Sequence, residues 1–155
     1  MNKHPIGAWT FDEDARPLRQ IMGRLVVASP GAGFCPITGD INSWLRNNGA
    51  LDGLLTLFLR HTSASLTIQE NTDPDVQADL LDAFGRLAPE GGGYRHHLEG
   101  ADDMPAHIKA VLMGVSQQIP VVNGRLDLGT WQAVYLVEHR RQPHQRTLTL
   151  HYLGA

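Results

Sequence analysis

A histidine and a run of small hydroxyl residues follow the most apolar stretch of the sequence. The run is His61-Thr62-Ser63-Ala64-Ser65, and Glu70-Asn71 come shortly after it. Hydroxyls and backbone N–H groups in such a turn can donate to phosphate or carboxylate oxygens, and a histidine can bind a metal ion or move a proton. The same pattern also fits a β-bulge whose hydroxyls satisfy nearby backbone groups, which is the commoner arrangement.

A second polar segment is rich in groups that ligate metal ions. Between residues 96 and 109 the chain has three histidines, three carboxylates and one lysine, namely His96, His97, Glu99, Asp102, Asp103, His107 and Lys109. If a helix begins by Asp103, that residue and His107 are four positions apart and share a face. Imidazole nitrogens and carboxylate oxygens suit zinc, whereas magnesium prefers carboxylates and water.

The spacing in this second segment matches no standard zinc motif, neither His-Glu-x-x-His nor paired Cys-x-x-Cys. An ordinary helix start is an equally good interpretation, in which Asp102 and Asp103 cap the helix and the histidines are solvated. The segment therefore predicts either a site for a divalent metal ion, zinc or magnesium, or a capped helix.

A third polar segment begins with Asn123-Gly124 and ends with Glu138-His139-Arg140-Arg141. The Arg125 guanidinium can hold a phosphate through two hydrogen bonds, and the Trp131 ring, next to Thr130, can stack on a heteroaromatic ring. A hairpin with a bulge and a core tryptophan explains the same residues without a ligand. Glu138 and His139 follow a strongly apolar stretch, so they are either catalytic or at the rim of a strand.

Most of the secondary-structure signals are those of strands. The predicted strands span residues 18–28, 54–59, 119–122, 125–138 and 147–153. The run at 54–59 is apolar on both sides, which predicts a central strand covered on both faces. Asn123-Gly124 predicts a two-residue hairpin turn, and Gly129 predicts a bulge in the strand that follows.

Three helices are expected among these strands, one over about residues 39–48, one from Asp73-Pro74 and one from about Asp103. The second helix should bury a stripe formed by Val76, Leu80, Leu81, Phe84 and Leu87. The third should carry Ile108, Val111 and Leu112 inward. Many strands and few helices, without regular alternation, predict an α+β domain built on antiparallel sheets.

Length, charge and cysteine content limit the class of protein. The chain has 155 residues, enough for one domain, and we expect a leader over residues 1–17 and a folded domain over residues 18–155. A net charge of −3 without a Lys/Arg cluster argues against nucleic acid or an anionic membrane as a partner. No apolar run is long enough to span a bilayer. The single cysteine, Cys35, fits a reducing compartment, so we expect a cytoplasmic protein.

Several short blocks follow one another between residues 18 and 154. They are His-Thr-Ser-Ala-Ser-Leu-Thr-Ile at 61–68, Glu70-Asn71 with Asp73-Pro74-Asp75-Val76, Glu99 through Lys109, Ile119-Pro120-Val121, Gly124-Arg125-Leu126, Leu128-Gly129-Thr130-Trp131-Gln132 and Glu138-His139-Arg140. Together they resemble the YjbQ-like family, whose members have been described as secondary thiamine-phosphate synthases. The resemblance implies an α+β fold with a β-sandwich-like core, a homotrimer, and a polar pocket in which the three polar segments meet.

The resemblance also implies roles for individual residues. The metal ligands it implies are His61, His96 and His107, with Asp103 and Glu99 beside them and His97 as an alternative to His96. As catalytic groups we predict His61, Asp103, Glu138 and His139. The substrate contacts we predict are Thr62, Ser63, Ser65, Glu70, Asn71, Lys109, Arg125, Thr130 and Trp131. The family's reaction joins hydroxymethylpyrimidine diphosphate to thiazole phosphate and releases pyrophosphate, so the expected partner is a small phosphorylated metabolite. The alternative function is a trimeric metal- or phosphometabolite-binding protein without turnover.

Overall fold

The computed structural model describes residues 16–155, so the leader predicted over residues 1–17 lies almost entirely outside the described residues. The described chain forms, in order, β1 (Arg19–Ser29), β2 (Gly33–Pro36), α1 (Thr38–Asn47), β3 (Gly53–Leu59), β4 (Ala64–Glu70), α2 (Pro74–Leu87), α3 (Asp103–Met113), β5 (Ser116–Val122), β6 (Arg125–Leu126), β7 (Gln132–Glu138) and β8 (His144–Gly154).

The strands form two antiparallel sheets. One sheet has five strands in the order β1-β8-β3-β5-β6, and the other has three in the order β2-β7-β4. All neighbouring strands in these two sheets run antiparallel. Two antiparallel sheets with three helices confirm the single α+β domain predicted from the sequence.

The core lies where the inner faces of the two sheets meet α1. Because side chains alternate along a strand, one row of β3 and one row of β8 point inward. The main cluster joins these rows to β4, β7 and α1, with Leu57, Leu150, Leu66, Leu136 and Ile41 among its fully buried members. A smaller cluster on the other face of the three-stranded sheet contains Tyr135 and Val137, with Met113 from the end of α3 packed against it.

Two local signals acted as the sequence predicted. Asp73 caps α2 by accepting a hydrogen bond from the backbone N–H of Asp75, with Pro74 in the first turn. Asn123 and Gly124 have φ angles of 50° and 72° and join β5 to β6, where Val122 pairs with Arg125. Left-handed φ values at both central residues are those of a type I′ hairpin turn, which glycine and asparagine adopt at low cost.

The prediction that residues 54–59 are covered on both faces is wrong for this chain. Leu55, Leu57 and Leu59 of β3 are buried, but Leu54 and Phe58 on the opposite face are 39% and 49% exposed. The strand that is buried on both faces is β7, because the core lies on one side of it and the smaller apolar cluster lies on the other. A run of apolar residues therefore identified a central strand without showing what covers its outer face.

The predicted inward face of α3 is wrong at two of its three positions, and the third, Ile108, is half-buried. Val111 and Leu112 are 84% and 59% exposed, whereas Asp103, Ala106 and Ala110 are buried. The small residues let α3 lie close to β4, so the bulky ones point away. On α2 the predicted stripe contains no fully buried residue, and Leu87 at its end is exposed.

The expected long strand over residues 125–138 is divided in two. The two residues of β6 end the five-stranded sheet, and β7 begins at Gln132 in the other sheet. Between them Gly129 lies in a turn, not a bulge: its carbonyl accepts the backbone N–H of Gln132, and its own N–H donates to the Gln132 side chain. The chain uses this turn to cross from one sheet to the other.

Candidate functional site

Glu138, at the end of β7, is fully buried and forms an ion pair with Arg146 of β8. Its carboxylate accepts hydrogen bonds from Arg146 Nε at 2.7 Å and Nη2 at 2.5 Å. Ser29 Oγ donates to the same carboxylate at 2.6 Å, and the backbone N–H groups of His139 and Arg140 donate at 3.0 Å. Burial raises the pKa of Glu138, but the hydrogen bonds from Arg146 and Ser29 outweigh burial and hold it below its usual value.

Ser63 completes the surroundings of Arg146. Arg146 Nη2 donates to the Ser63 hydroxyl at 3.1 Å and reaches its carbonyl at 3.4 Å. Ser63 is 9% exposed and Glu138 is fully buried, so neither presents a free group to a ligand. Both were predicted site residues, and the structure places them in a closed network that fixes the loop between β3 and β4 against β7 and β8.

Ser65 and His139 form a second buried pair beside this network. Ser65 Oγ lies 2.8 Å from His139 Nε2, and the two residues are 0% and 5% exposed. Burial, together with the nearby charge of Lys109, lowers the pKa of His139 to about 4. Burial also lowers the pKa of Lys109, against the charges of Glu90 and Asp102. At neutral pH His139 is therefore a neutral buried hydrogen-bonding group.

Asp103, the first residue of α3, brings two histidines together. Its Oδ2 lies 2.6 Å from His96 Nε2 and 3.3 Å from His107 Nε2, and its side chain is 2% exposed. The predicted i,i+4 relation of Asp103 and His107 is present. One ligand atom from each of the three residues lies within 4.8 Å of the others. We call these three residues the His–Asp–His cluster.

The backbone fixes the ring of His107. Its Nδ1 lies 2.9 Å from the carbonyl oxygen of Thr62, and since a carbonyl can only accept, Nδ1 carries the proton. In the neutral ring Nε2 then carries a lone pair, which faces Asp103. A backbone acceptor on one nitrogen with the other facing a metal is the usual arrangement of a ligating histidine.

Of the two neighbouring histidines, His96 is the one in the cluster. His97 is exposed, and its Nδ1 bonds the carbonyl of Arg95 instead. The side chains of His96 and His107 are 40% and 32% exposed, and their ring centroids are 5.5 Å apart. The cluster therefore has a buried carboxylate at its base and two imidazoles reached by solvent.

Arg140 holds the carboxylates at the start of α3. Its guanidinium bonds Asp103 Oδ1, Asp102 Oδ2 at 3.2 Å and the carbonyl of Glu99 at 2.6 Å. Burial raises the pKa of Asp103, but the His96 hydrogen bond and the Arg140 charge outweigh burial and lower it. Asp102 also receives the backbone N–H of Arg141, and its pKa is lowered against burial as well. Both aspartates are thus ionised at neutral pH.

The structure does not place His61 in the cluster. Its Nε2 accepts the backbone N–H of Thr147 at 2.8 Å, so in the neutral ring the proton sits on Nδ1 and no lone pair remains for a metal ion. Burial, with the charge of Arg146, lowers the pKa of His61 and favours this neutral form. Of the three histidines expected as ligands, the structure brings His96 and His107 together around Asp103 and places His61 apart from them.

An apolar cleft of about 750 Å³ adjoins the cluster, and His107 is part of its wall. Its apolar lining comes from the end of β3, from α3 and from the turn after α3, namely Phe58, Leu59, Ala110, Val111 and Val115. Arg60, His61 and Thr62 also line it. On the side of His96 there is a smaller cleft of about 280 Å³, whose walls include Gly91, Gly93 and Gly100. The cluster thus lies between two clefts.

Four predicted substrate contacts lie at the other end of the three-stranded sheet. Glu70 and Gln132 pair at one end of β4 and β7, while Ala64 and Glu138 pair at the other end, six residues or about 20 Å away. The Glu70 carboxylate accepts the backbone N–H groups of Thr72 and Asp73 before α2. Asn71, Thr130 and Trp131 are exposed beside it, and Trp131 is 61% exposed, not in the core.

Arg125 is distant from the cluster as well. It is exposed on β6, opposite Val122 at the far end of β5. The near end of β5, Ser116, adjoins the apolar cleft, and six residues of strand span about 20 Å. Within one chain, therefore, the run from His61 to Ser65 and the second polar segment meet the end of the third. Five predicted contacts lie apart from them, namely Glu70, Asn71, Arg125, Thr130 and Trp131.

The main residues missed from the sequence are Arg146, Ser29 and Arg140. Arg146 carried a usable signal, because it falls in the inward row of β8 with Leu148, Leu150 and Tyr152. A charged residue in a buried row needs an ionic partner, and Glu138 was the candidate. Ser29 and Arg140 depend on contacts more than 35 positions apart in the chain, which spacing alone does not reveal.

The fold and the site together define the class of this protein. It is a small α+β domain of two antiparallel sheets and three helices, with a His–Asp–His cluster at the start of the third helix. Within residues 16–155, no helix combines the length and the apolar character needed to cross a membrane. The chain belongs to the UPF0047 protein YjbQ-like family, whose model matches residues 24–155. The family resemblance predicted from the sequence is thereby confirmed.

Individual relatives agree with this assignment. The chain is 51% identical over 141 residues to the UPF0047 protein sll1880 of Synechocystis sp., covering 90% of this chain and 96% of that protein. A crystal structure of an uncharacterized YjbQ/UPF0047 protein from Clostridium acetobutylicum has a TM-score of 0.74 and 40% identity, covering 85% and 98%. A YbjQ-like protein of unknown function from Sulfolobus solfataricus shares the fold, with a TM-score of 0.81 at 23% identity, covering 90% and 100%.

Proposed function

We propose that this protein is a small-molecule enzyme that acts on a phosphorylated metabolite with the help of a divalent metal ion held by His96, Asp103 and His107. The observation that carries the proposal is the orientation of His107. Its Nδ1 faces the Thr62 carbonyl and its Nε2 lies 3.3 Å from Asp103 Oδ2. In the neutral ring two electron-rich atoms then face each other, and a cation between them removes the repulsion.

The donor set favours zinc over magnesium. Two imidazole nitrogens and one carboxylate oxygen are typical ligands of catalytic zinc, with further positions left for water or substrate. Magnesium prefers oxygen ligands and retains several waters. Arg140 supports the set by holding Asp103 through its other oxygen, which leaves Oδ2 directed at the histidines. Such a carboxylate-orienting contact strengthens a metal site without providing a ligand.

For the reaction itself we propose the thiamine-phosphate synthase activity implied by the resemblance. In that condensation the bond from the pyrimidine methylene to the diphosphate oxygen breaks, a bond to the thiazole nitrogen forms, and pyrophosphate leaves. The departing diphosphate needs cationic groups and donors near its oxygens. Around the cluster, Arg60 and His61 can supply these, and both line the adjoining cleft with His107. Glu138 is fully occupied by Arg146 and Ser29, so we give it a structural role.

Metal content tests the proposed site. After removal of metal with a chelator and reloading with zinc, the wild-type protein should hold close to one ion per chain. His107→Ala should lose most of it, because one of three protein ligands is gone. His97→Ala removes an exposed neighbouring histidine and is the matched control, which should bind as the wild type does. Equal zinc content in His107→Ala and the wild type would rule out this ligand set.

Turnover distinguishes the enzyme from the alternative function. Zinc-loaded protein is given the pyrimidine diphosphate and the thiazole phosphate, and thiamine phosphate and pyrophosphate are measured. Activity that falls with metal content in His107→Ala supports the synthase. Saturable binding of either phosphate compound without product would instead favour a metal- or phosphometabolite-binding protein. For either function we propose a cytoplasmic location, on the basis of the single cysteine, Cys35.

We also propose that the protein assembles as a homotrimer, as the resemblance implies. The support is a set of exposed apolar side chains on the outer face of the five-stranded sheet, namely Met22 and Val26 on β1 and the Leu54–Leu153 pair on β3 and β8. Large apolar patches on a sheet face are typical of subunit contacts. Native mass measurement should give three chains, and Val26→Asp should give smaller species, whereas Leu87→Asp, at the exposed end of α2, should not. A wild-type monomer would contradict the trimer.

A further inference from the structure

The cleft beside the His–Asp–His cluster has walls of two chemical kinds. Most of its surface is apolar and belongs to Phe58, Leu59, Ala110, Val111 and Val115. Of these side chains, Phe58 is half-exposed and Val111 is exposed. Its volume of about 750 Å³ falls within the range of small-molecule sites. An apolar cavity of this size in contact with water is stabilised when an apolar group enters it.

The polar side chains of the cleft include a cation and a hydrogen-bond donor. Arg60 carries a positive charge, and His61 has its proton on Nδ1 because Nε2 accepts the Thr147 N–H. His107 is common to the cleft and the cluster. A ligand that meets this lining favourably has an anionic group beside the histidines and an apolar remainder.

We propose that the cleft binds a phosphate monoester with an aromatic or branched hydrocarbon body, the phosphate at the His107 end and the body against Phe58 and Val111. This inference rests on the proposed function, since the anionic group is placed at the proposed metal site. It differs from the sequence-based expectation that Trp131 receives the ring, because Trp131 is exposed near the far end of β7.

A strongly polar body, such as that of a sugar phosphate, fits this cleft poorly. Its hydroxyl groups would lie against five apolar side chains that offer no hydrogen bonds. Burying a hydroxyl without a partner costs about 1–3 kcal/mol in proteins, so each such group weakens binding. The apolar lining therefore selects against the commonest phosphorylated metabolites and in favour of amphipathic ones.

Calorimetric titration with two probes tests the proposal. Phenyl phosphate and inorganic phosphate share the anionic group, and only phenyl phosphate has an apolar body. The wild-type, zinc-loaded protein should bind phenyl phosphate at least about tenfold more tightly, as expected for burial of a ring. Val111→Ser should reduce this preference about fivefold. Leu112→Ser changes the next exposed residue of α3, outside the cleft lining, and should leave the preference within about twofold.

Several outcomes would overturn the proposal. Equal affinity for the two probes would show that the cleft takes no apolar body, and equal effects of Val111→Ser and Leu112→Ser would show that binding occurs elsewhere. If Val111→Ser instead lowers the assembly mass and leaves the preference unchanged, a second copy of the chain occupies the cleft. Titrations repeated with chelator keep the two tests separate. A wild-type protein that does not bind zinc would contradict the metal site, whereas the preference for phenyl phosphate, measured with and without chelator, tests the cleft.

Discussion

The Glu138–Arg146 pair and the His–Asp–His cluster use similar groups in opposite ways. Glu138 and Arg146 are 0% and 4% exposed, and hydrogen bonds from Ser29 and from two backbone N–H groups complete the set around the carboxylate. In the cluster only Asp103 is buried, and the nitrogens of His96 and His107 converge on one of its oxygens beside two open clefts. The first region is closed, and the second can accept a ligand.

The difference between Glu138 and Asp103 shows which buried charged residues are candidates for a functional role. Both carboxylates have lowered pKa values and an arginine partner, so neither property separates them. What separates them is access: the Arg146 side chain that pairs with Glu138 is buried, whereas the imidazoles of His96 and His107 beside Asp103 Oδ2 are reached by solvent. A carboxylate enclosed by buried partners cannot reach a ligand, whereas one whose histidine partners are exposed is a candidate functional site.

The largest effect on stability that we predict comes from disrupting the Glu138–Arg146 pair. Glu138→Gln leaves Arg146 buried with no counter-charge, and we expect the free energy of unfolding to fall by about 3–5 kcal/mol in urea denaturation. Glu90→Gln breaks the pair with Arg141, whose side chains are 43% and 61% exposed, and should cost less than about 1 kcal/mol. A similar small loss in both variants would show that the Glu138–Arg146 pair contributes little.

The next prediction concerns pH and the buried His139. Its pKa is about 4 in the folded protein, against about 6.5 when unfolded, so between those values the unfolded chain binds more protons. The free energy of unfolding should therefore decrease as pH falls, by about 2 kcal/mol between pH 7.5 and pH 5. His139→Gln should remove this part of the slope, measured with chelator present. Parallel curves for the two proteins would mean that His139 is not the titrating group.

The smallest effects should come from the predicted contacts at the far end of the sheet. Trp131 and Arg125 are exposed and lie about 20 Å along β7 and β5 from the site region. Trp131→Ala and Arg125→Ala should each change the free energy of unfolding by about 0.5 kcal/mol or less. Neither should alter zinc content in the purified chain. Loss of zinc in either variant would show that this end of the molecule reaches the cluster, within one chain or between copies.

Local chemistry explains what could be predicted from the sequence. Asp73 with Pro74 fixed the start of α2, and Asn123 with Gly124 fixed a hairpin, because caps and turns depend on neighbouring residues. The i,i+4 relation of Asp103 and His107 followed from helical geometry alone. These are interactions within a few positions of one another.

What the sequence did not predict depends on packing between distant segments. The apolar pattern of α3 predicted Val111 and Leu112 as inward, but close approach to β4 selected the alanines instead. His61 was expected to bind metal, but its Nε2 accepts a hydrogen bond from the backbone N–H of Thr147, 86 positions away in the chain. The proposed role of Asp103 as a ligand depends on His96, which lies seven positions earlier and across a loop. Spacing indicates candidate groups, and the fold decides which of them meet.

The most direct test of the proposed metal site is to locate the ion itself. Crystals of the zinc-loaded protein should give an anomalous scattering peak at the zinc edge about 2.0–2.2 Å from His96 Nε2, His107 Nε2 and an oxygen of Asp103. The same data from Asp103→Asn crystals should show that peak strongly reduced, with the Arg140 side chain as an internal check on local order. A wild-type map with no peak between these three residues, or with zinc at His97 or His61 instead, would contradict the account.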